Sequence, residues 1–228
     1  MSAPPSRRGF LEVSIAVAGA AALGSPGRAE AAEAKKAPDV TPTEDLMREH
    51  GVLRRVLLIY EEAVRRLSAS PPAGAISSAA GIIRDFVQRY HEHLEETQVF
   101  PRLQKAGRQG DLVRVLLEQH AAGRAVTARI LENATPKALA DPAKQKAVAA
   151  DIGAFIRMYR PHAAREDTVL FPAFRELFTD RELDRLGDQF EEQEKKLLGA
   201  GGFEGALLEV EAIEKDLGIA DLAQLTPR

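Results

Sequence analysis

The sequence predicts an all-α protein: an up-down four-helix bundle with a pseudo-twofold repeat, followed by a C-terminal helical extension. Three observations predict it. Apolar residues recur at spacings of three and four along four long segments, the period of one helix face. An eleven-residue stretch occurs twice, His91-Glu92-His93-Leu94-Glu95-Glu96-Thr97-Gln98-Val99-Phe100-Pro101 and His162-Ala163-Ala164-Arg165-Glu166-Asp167-Thr168-Val169-Leu170-Phe171-Pro172. A lone histidine precedes each copy at nearly equal distance: His50 by 41 residues (91 − 50) and His120 by 42 (162 − 120). One helix-loop-helix unit used twice gives four helices related by an approximate twofold.

Residues 1–34 read as a secretory signal. Ser6-Arg7-Arg8-Gly9-Phe10-Leu11 resembles the twin-arginine export motif, with Glu12 where a basic residue often stands. A weakly apolar run from Val13 to Leu23 follows, then small-residue sites at Ala29-Glu30-Ala31 and Ala32-Glu33-Ala34. That order fits a cleaved signal and is too short for a spanning helix. The expected partner of the precursor is the twin-arginine export machinery, and the expected location is periplasmic or extracellular. Residues 35–42 read as a linker.

The bundle is expected over 43–178. Thr43 is a good N-cap, with Glu44 and Asp45 in the first turn where the helix dipole favours anions. Leu46, His50, Leu53, Leu57, Tyr60, Val64 and Leu67 then form one inward stripe, and Ser70-Pro71-Pro72 stops the helix. The second helix runs from about Ile76 past Glu96, with Ile83, Val87, His91, Glu95 and Val99 on its stripe. Pro101 should kink or end it. The third starts near Asp111 and buries Val113, Leu116, His120, Gly123, Thr127 and Ile130. The fourth starts at Asp141-Pro142, a cap with proline in the first turn. Its stripe is Ile152, Phe155, Tyr159, His162, Glu166, Val169 and Ala173, with a kink expected at Pro161. Residues 179–228 hold a charged helix capped by Thr179, a glycine break at 199–202 and a short amphipathic helix. This extension carries no histidine and should pack outside the bundle.

Composition narrows the function classes. A net charge of −3 gives no reason to expect nucleic acid or an anionic membrane surface. The absence of cysteine excludes disulfides, thiolate-held clusters and thiol nucleophiles. No run of 18 apolar residues predicts a membrane span in the mature chain.

Four of the five histidines fall on inward stripes, one per helix, and two carry a glutamate one turn on. A buried carboxylate is costly unless paired or bound to a metal. His50, His91, Glu95, His120, His162 and Glu166 are therefore the expected metal ligands, a nitrogen and oxygen set that suits iron, manganese or zinc. Tyr60, Tyr90, Tyr159, Glu96 and Asp167 are candidates for the layer behind them. His93 lies about 200° round from His91 and should face solvent.

These residues resemble the bacterial hemerythrin-like proteins with His-His-Glu cation-binding repeats, over about residues 43–178. The resemblance implies a non-haem centre of two iron ions, bridged by both carboxylates and an oxo or hydroxo oxygen, which binds dioxygen or a similar small ligand. Another divalent metal is the alternative occupant. The oxygen-carrying hemerythrins use five histidines with one glutamate and one aspartate; this chain offers four histidines and two glutamates. Six ligands per iron then leave about two of twelve positions for water, tyrosine or an exogenous ligand. The functions this allows are oxygen storage, delivery or sensing, a di-iron redox enzyme acting on oxygen, peroxide or nitric oxide, or metal handling without turnover.

Overall fold

The structure, a computed structural model, describes residues 40–199 and 201–227. The signal expected over 1–34, and most of the linker expected over 35–42, lie outside the described residues. Among the described residues every regular element is a helix. Helix α1 spans Pro42–Arg66. Helix α2 covers 73–105 without a break, passing through π-helical turns at Ile83–His91 and Glu95–Val99. Helix α3 is Gly110–Asn133. Helix α4 covers 142–175 with one π-helical turn at Glu166–Leu170. Helices α5, Asp180–Leu198, and α6, Gly202–Asp216, follow.

The first cap lies two residues before the expected Thr43. Thr41 accepts from the Glu44 amide, and the Glu44 carboxylate reaches back to the Thr41 amide at 2.8 Å. Pro42 sits in the first turn, where its missing N–H costs nothing. Asp141 caps α4 by accepting from the Ala143 amide, again with proline next in sequence. Pro161 lies inside α4, which continues across it.

Helix α1 packs on α2 and α4, and α3 packs on the same two, so the molecule is a helical bundle around one apolar core. The predicted stripes are nearly all buried. The exception on α4 is Val169, which is 39% exposed, while Leu170 is fully buried. The π turn that starts at Glu166 explains this. Each π turn spends about one extra residue, so the inward position passes from the third to the fourth residue after the glutamate. In the first copy the same position is Val99, which is buried.

Helices α5 and α6 pack on the outer sides of α1 and α2. Arg55 donates through two nitrogens to Glu214, and Arg66 donates to the Leu217 carbonyl at 2.6 Å. Phe203 packs against Phe86, with the Arg48 guanidinium 5.1 Å from its ring centre. Glu194 caps α6 by accepting from the Phe203 amide at 2.7 Å. No helix among the described residues is long and apolar enough to cross a membrane.

Candidate metal centre

Each of the first four helices brings its histidine to one depth. Helix α1 supplies His50, α2 His91 and Glu95, α3 His120, and α4 His162 and Glu166. None of these six is more than 4% exposed. The Nε2 atoms of His50 and His91 are 3.1 Å apart, and those of His120 and His162 are 3.2 Å apart. Glu95 spans the two pairs: Oε1 is 3.5 Å from His91 Nε2 and Oε2 is 3.5 Å from His120 Nε2. Glu166 Oε2 lies 3.3 Å from His50 Nε2 and 3.0 Å from His162 Nε2.

The other ring nitrogens settle which way the lone pairs point. His50 Nδ1 donates to Asp167 at 2.7 Å, and His91 Nδ1 to Glu49 at 2.8 Å. His120 Nδ1 donates to Glu96 at 2.9 Å, and His162 Nδ1 to the Gln119 amide oxygen at 2.9 Å. A neutral imidazole that donates from Nδ1 has an Nε2 that can only accept. Four inward nitrogens therefore face each other and the four oxygens of Glu95 and Glu166, none of which has a hydrogen-bond partner. Buried acceptors without donors are what a cation satisfies. His50, His91 and Glu95 can hold one ion, and His120, His162 and Glu166 a second.

The repeated motif explains its own letters. The acid after each inward glutamate supports a histidine of the other half, Asp167 for His50 and Glu96 for His120. The arginine four residues after each lone histidine pairs with that same acid: Arg54 with Asp167, Arg124 with Glu96. The phenylalanines stack on the lone histidines, Phe171 on His50 and Phe100 on His120, both with ring centres 5.6 Å apart. Thr97 and Thr168 donate to the carbonyls of His93 and Ala164, each at 2.6 Å, within the widened turns.

Charge in the metal-free site is unevenly placed. Burial pushes the Glu95 carboxyl well above its ordinary range, and the nearby Glu166 and Glu92 charges add to this. Glu166 goes the other way, because His162 and His50 outweigh its burial. Burial opposes the charging of His50, yet Asp167 and Glu166 raise it to about 9. The metal-free site thus holds a proton on His50 Nε2 at neutral pH and favours one on Glu95, and cations must displace them. Loading near pH 7.5 should release about one proton per chain, from His50. Calorimetric titrations in buffers of different ionisation heat would read this, and buffer-independent heats would refute it.

Tyr90 donates to Glu49 at 3.0 Å, and Tyr159 donates to Glu92 at 2.6 Å. Burial, and then the Glu92 charge, lift the Tyr159 hydroxyl well above its ordinary range, so it stays a donor. Tyr60 is not brought to the centre. Ten residues of helix separate it from His50, about 15 Å of rise, and it packs edge-on against Phe155 with no partner for its hydroxyl. His93 is exposed, as its position on the helix predicts. Sequence reasoning missed Glu49, Gln119 and Glu92. The first two stand immediately before the lone histidines, and that shared position was the available signal. Glu92, 1% exposed, is held by Tyr159 and by Arg124 at 2.8 Å.

Comparisons with known proteins agree with this geometry. The model of the hemerythrin HHE cation binding domain matches residues 41–174. The chain is 44% identical to an uncharacterized protein of Mycobacterium bovis, over 98% of this chain and 93% of the relative. Uncharacterized proteins of two Mycobacterium tuberculosis strains match with the same identity and coverage. No solved structure matches. The chain belongs to the hemerythrin family, whose mark is the HHE cation-binding domain.

Proposed function

We propose that this is a non-haem di-iron protein that binds dioxygen or a related small ligand, for storage, delivery or sensing. The observation that carries the proposal is the set of four imidazole nitrogens and four carboxylate oxygens that face one another at one depth, the four oxygens without a hydrogen-bond partner. In this reading His50 and His91 hold one ion, His120 and His162 the other, and Glu95 and Glu166 lie between. When bound, an iron pair supplies exchangeable electrons and open positions for a small ligand. The chain's own residues orient the imidazoles, keep water out and fix the Nδ1 protons.

The architecture that goes with this reading is the up-down four-helix bundle with a pseudo-twofold axis. The matched roles of Asp167 and Glu96, Arg54 and Arg124, and Phe171 and Phe100 support it. A cavity of about 250 Å³ between α1 and α4 supports a small, largely apolar ligand. Leu53, Leu57, Tyr159 and Ala163 line it, with Arg54 and Arg160 beside them, and Ala163 follows His162 directly.

Anaerobically purified protein should carry about two irons per chain. Oxygen should bring up a near-ultraviolet charge-transfer band that disappears again when oxygen is removed. Irreversible bleaching on first exposure to air would sink the oxygen-binding role. Sustained turnover of peroxide or nitric oxide would shift the assignment to a redox enzyme.

A further inference from the structure

We infer that the two cation positions are unequal, and that Glu49 and Gln119 make them so: the His50/His91 position fills first and holds its ion more tightly than the His120/His162 position. This rests on the two-cation reading above.

The two halves agree at almost every place that touches a ligand. Each lone histidine has an acid on Nδ1, an arginine on that acid and a phenylalanine on its ring. The halves differ at the partner of the second histidine. His91 Nδ1 donates to the carboxylate of Glu49, which is 2% exposed. His162 Nδ1 donates to the neutral amide oxygen of Gln119, which is only partly buried. A carboxylate that accepts from a metal-bound imidazole draws its proton away and makes the ring a stronger electron donor. An amide oxygen does this weakly.

Surrounding residues reinforce the difference. The second oxygen of Glu49 accepts from Tyr90, which fixes the carboxylate in place at 3.0 Å. The matching position of the second copy is Pro161, which has no hydroxyl to offer. The extra acid near the other pair, Glu92, does not cancel the effect. Its oxygens accept from Tyr159 and from Arg124, so its charge is spent on them although a carboxylate oxygen of Glu92 lies within 4.8 Å of His120. Arg124 serves both Glu92 and Glu96, whereas Arg54 serves Asp167 alone among the described residues. Three ligand rings therefore lean on carboxylates and one on an amide. Outer partners of this kind are worth about 10–100-fold in metal affinity.

The test titrates metal-free protein with cobalt(II) under nitrogen, against a competing chelator. Two binding constants that differ by about tenfold or more are expected. At one equivalent, the paramagnetically shifted ring signals should be those of His50 and His91. Gln119→Glu should tighten the weaker position and bring the ratio toward one, while Glu49→Gln should do the same by loosening the tighter. Equal constants in the wild type, or first appearance of the His120 and His162 signals, would overturn the inference and leave the two-cation reading standing. Binding of fewer than two cobalt ions would overturn both.

Discussion

Glu95→Gln should weaken cation binding by more than about 100-fold and yet make the metal-free chain more stable. Loss of an outer partner already costs about 10–100-fold, and Glu95 lies within 3.5 Å of a nitrogen from each pair. Without metal, the same carboxyl is a burden. It is fully buried, its oxygens have no partner, and burial with neighbouring negative charge raises it well above the ordinary carboxylate range. Glutamine keeps the shape, cannot ionise and brings an amide that can donate to the inward lone pairs. A gain of roughly 1–3 kcal/mol is expected, or about 5 °C in Tm for a chain of this size. The sign with pH follows from proton binding. The folded, metal-free wild type keeps a proton on Glu95 where the unfolded chain has released it. Its stability therefore falls as pH rises above the ordinary carboxylate value, and the variant lacks that fall. Melting of both metal-free proteins between about pH 5 and pH 8 decides the matter. Coincident curves would mean that Glu95 is satisfied within the protein and needs no ion.

Gly123→Ala should be among the most damaging single-methyl changes in the molecule. A Cβ at this position would lie 2.0 Å from the Tyr159 hydroxyl and 2.8 Å from its ring. Tyr159 cannot simply rotate away. Its ring stacks on Phe155 at 4.2 Å and lies 5.2 Å from that of His162, and its hydroxyl holds buried Glu92. Overpacking costs about 1–3 kcal/mol, and a stranded buried acceptor costs about as much again. A loss of about 3–5 kcal/mol, near 10 °C in Tm, is expected. Tyr159→Phe removes the nearest clashing atom and already strands Glu92, so the double variant should lose clearly less than the sum of the two. Additive losses would show that the glycine serves something other than Tyr159.

The six inward side chains were legible in the sequence because helical spacing is a strong constraint. Residues four apart share a face, and a duplicated His-x-x-x-Glu leaves little freedom in where its tips point. Glu96 and Asp167 were within reach of the same reasoning, since they follow ligands directly. Glu49 and Gln119 stand just before the lone histidines, and only that shared position marked them. They sit about 100° off the stripe of their own helix, and they act on the histidine of the neighbouring helix. Periodicity sorts residues by the face of one helix; it says nothing of what lies across a helix–helix seam. Val169 was misplaced for a related reason. An ideal 3.6-residue turn was carried through a stretch that the fold widens at the ligand. Tyr60 shared a stripe with His50, but sharing a face does not mean sharing a level along it.

The crossed support of the lone histidines makes each half of the sequence depend on the other. Each half keeps the clamp that its opposite requires, so a single helical hairpin would present a loosely held imidazole and an acid with nothing to grip. Two identical hairpins meeting face to face would complete one another. Neither hairpin alone would hold its own lone histidine in place.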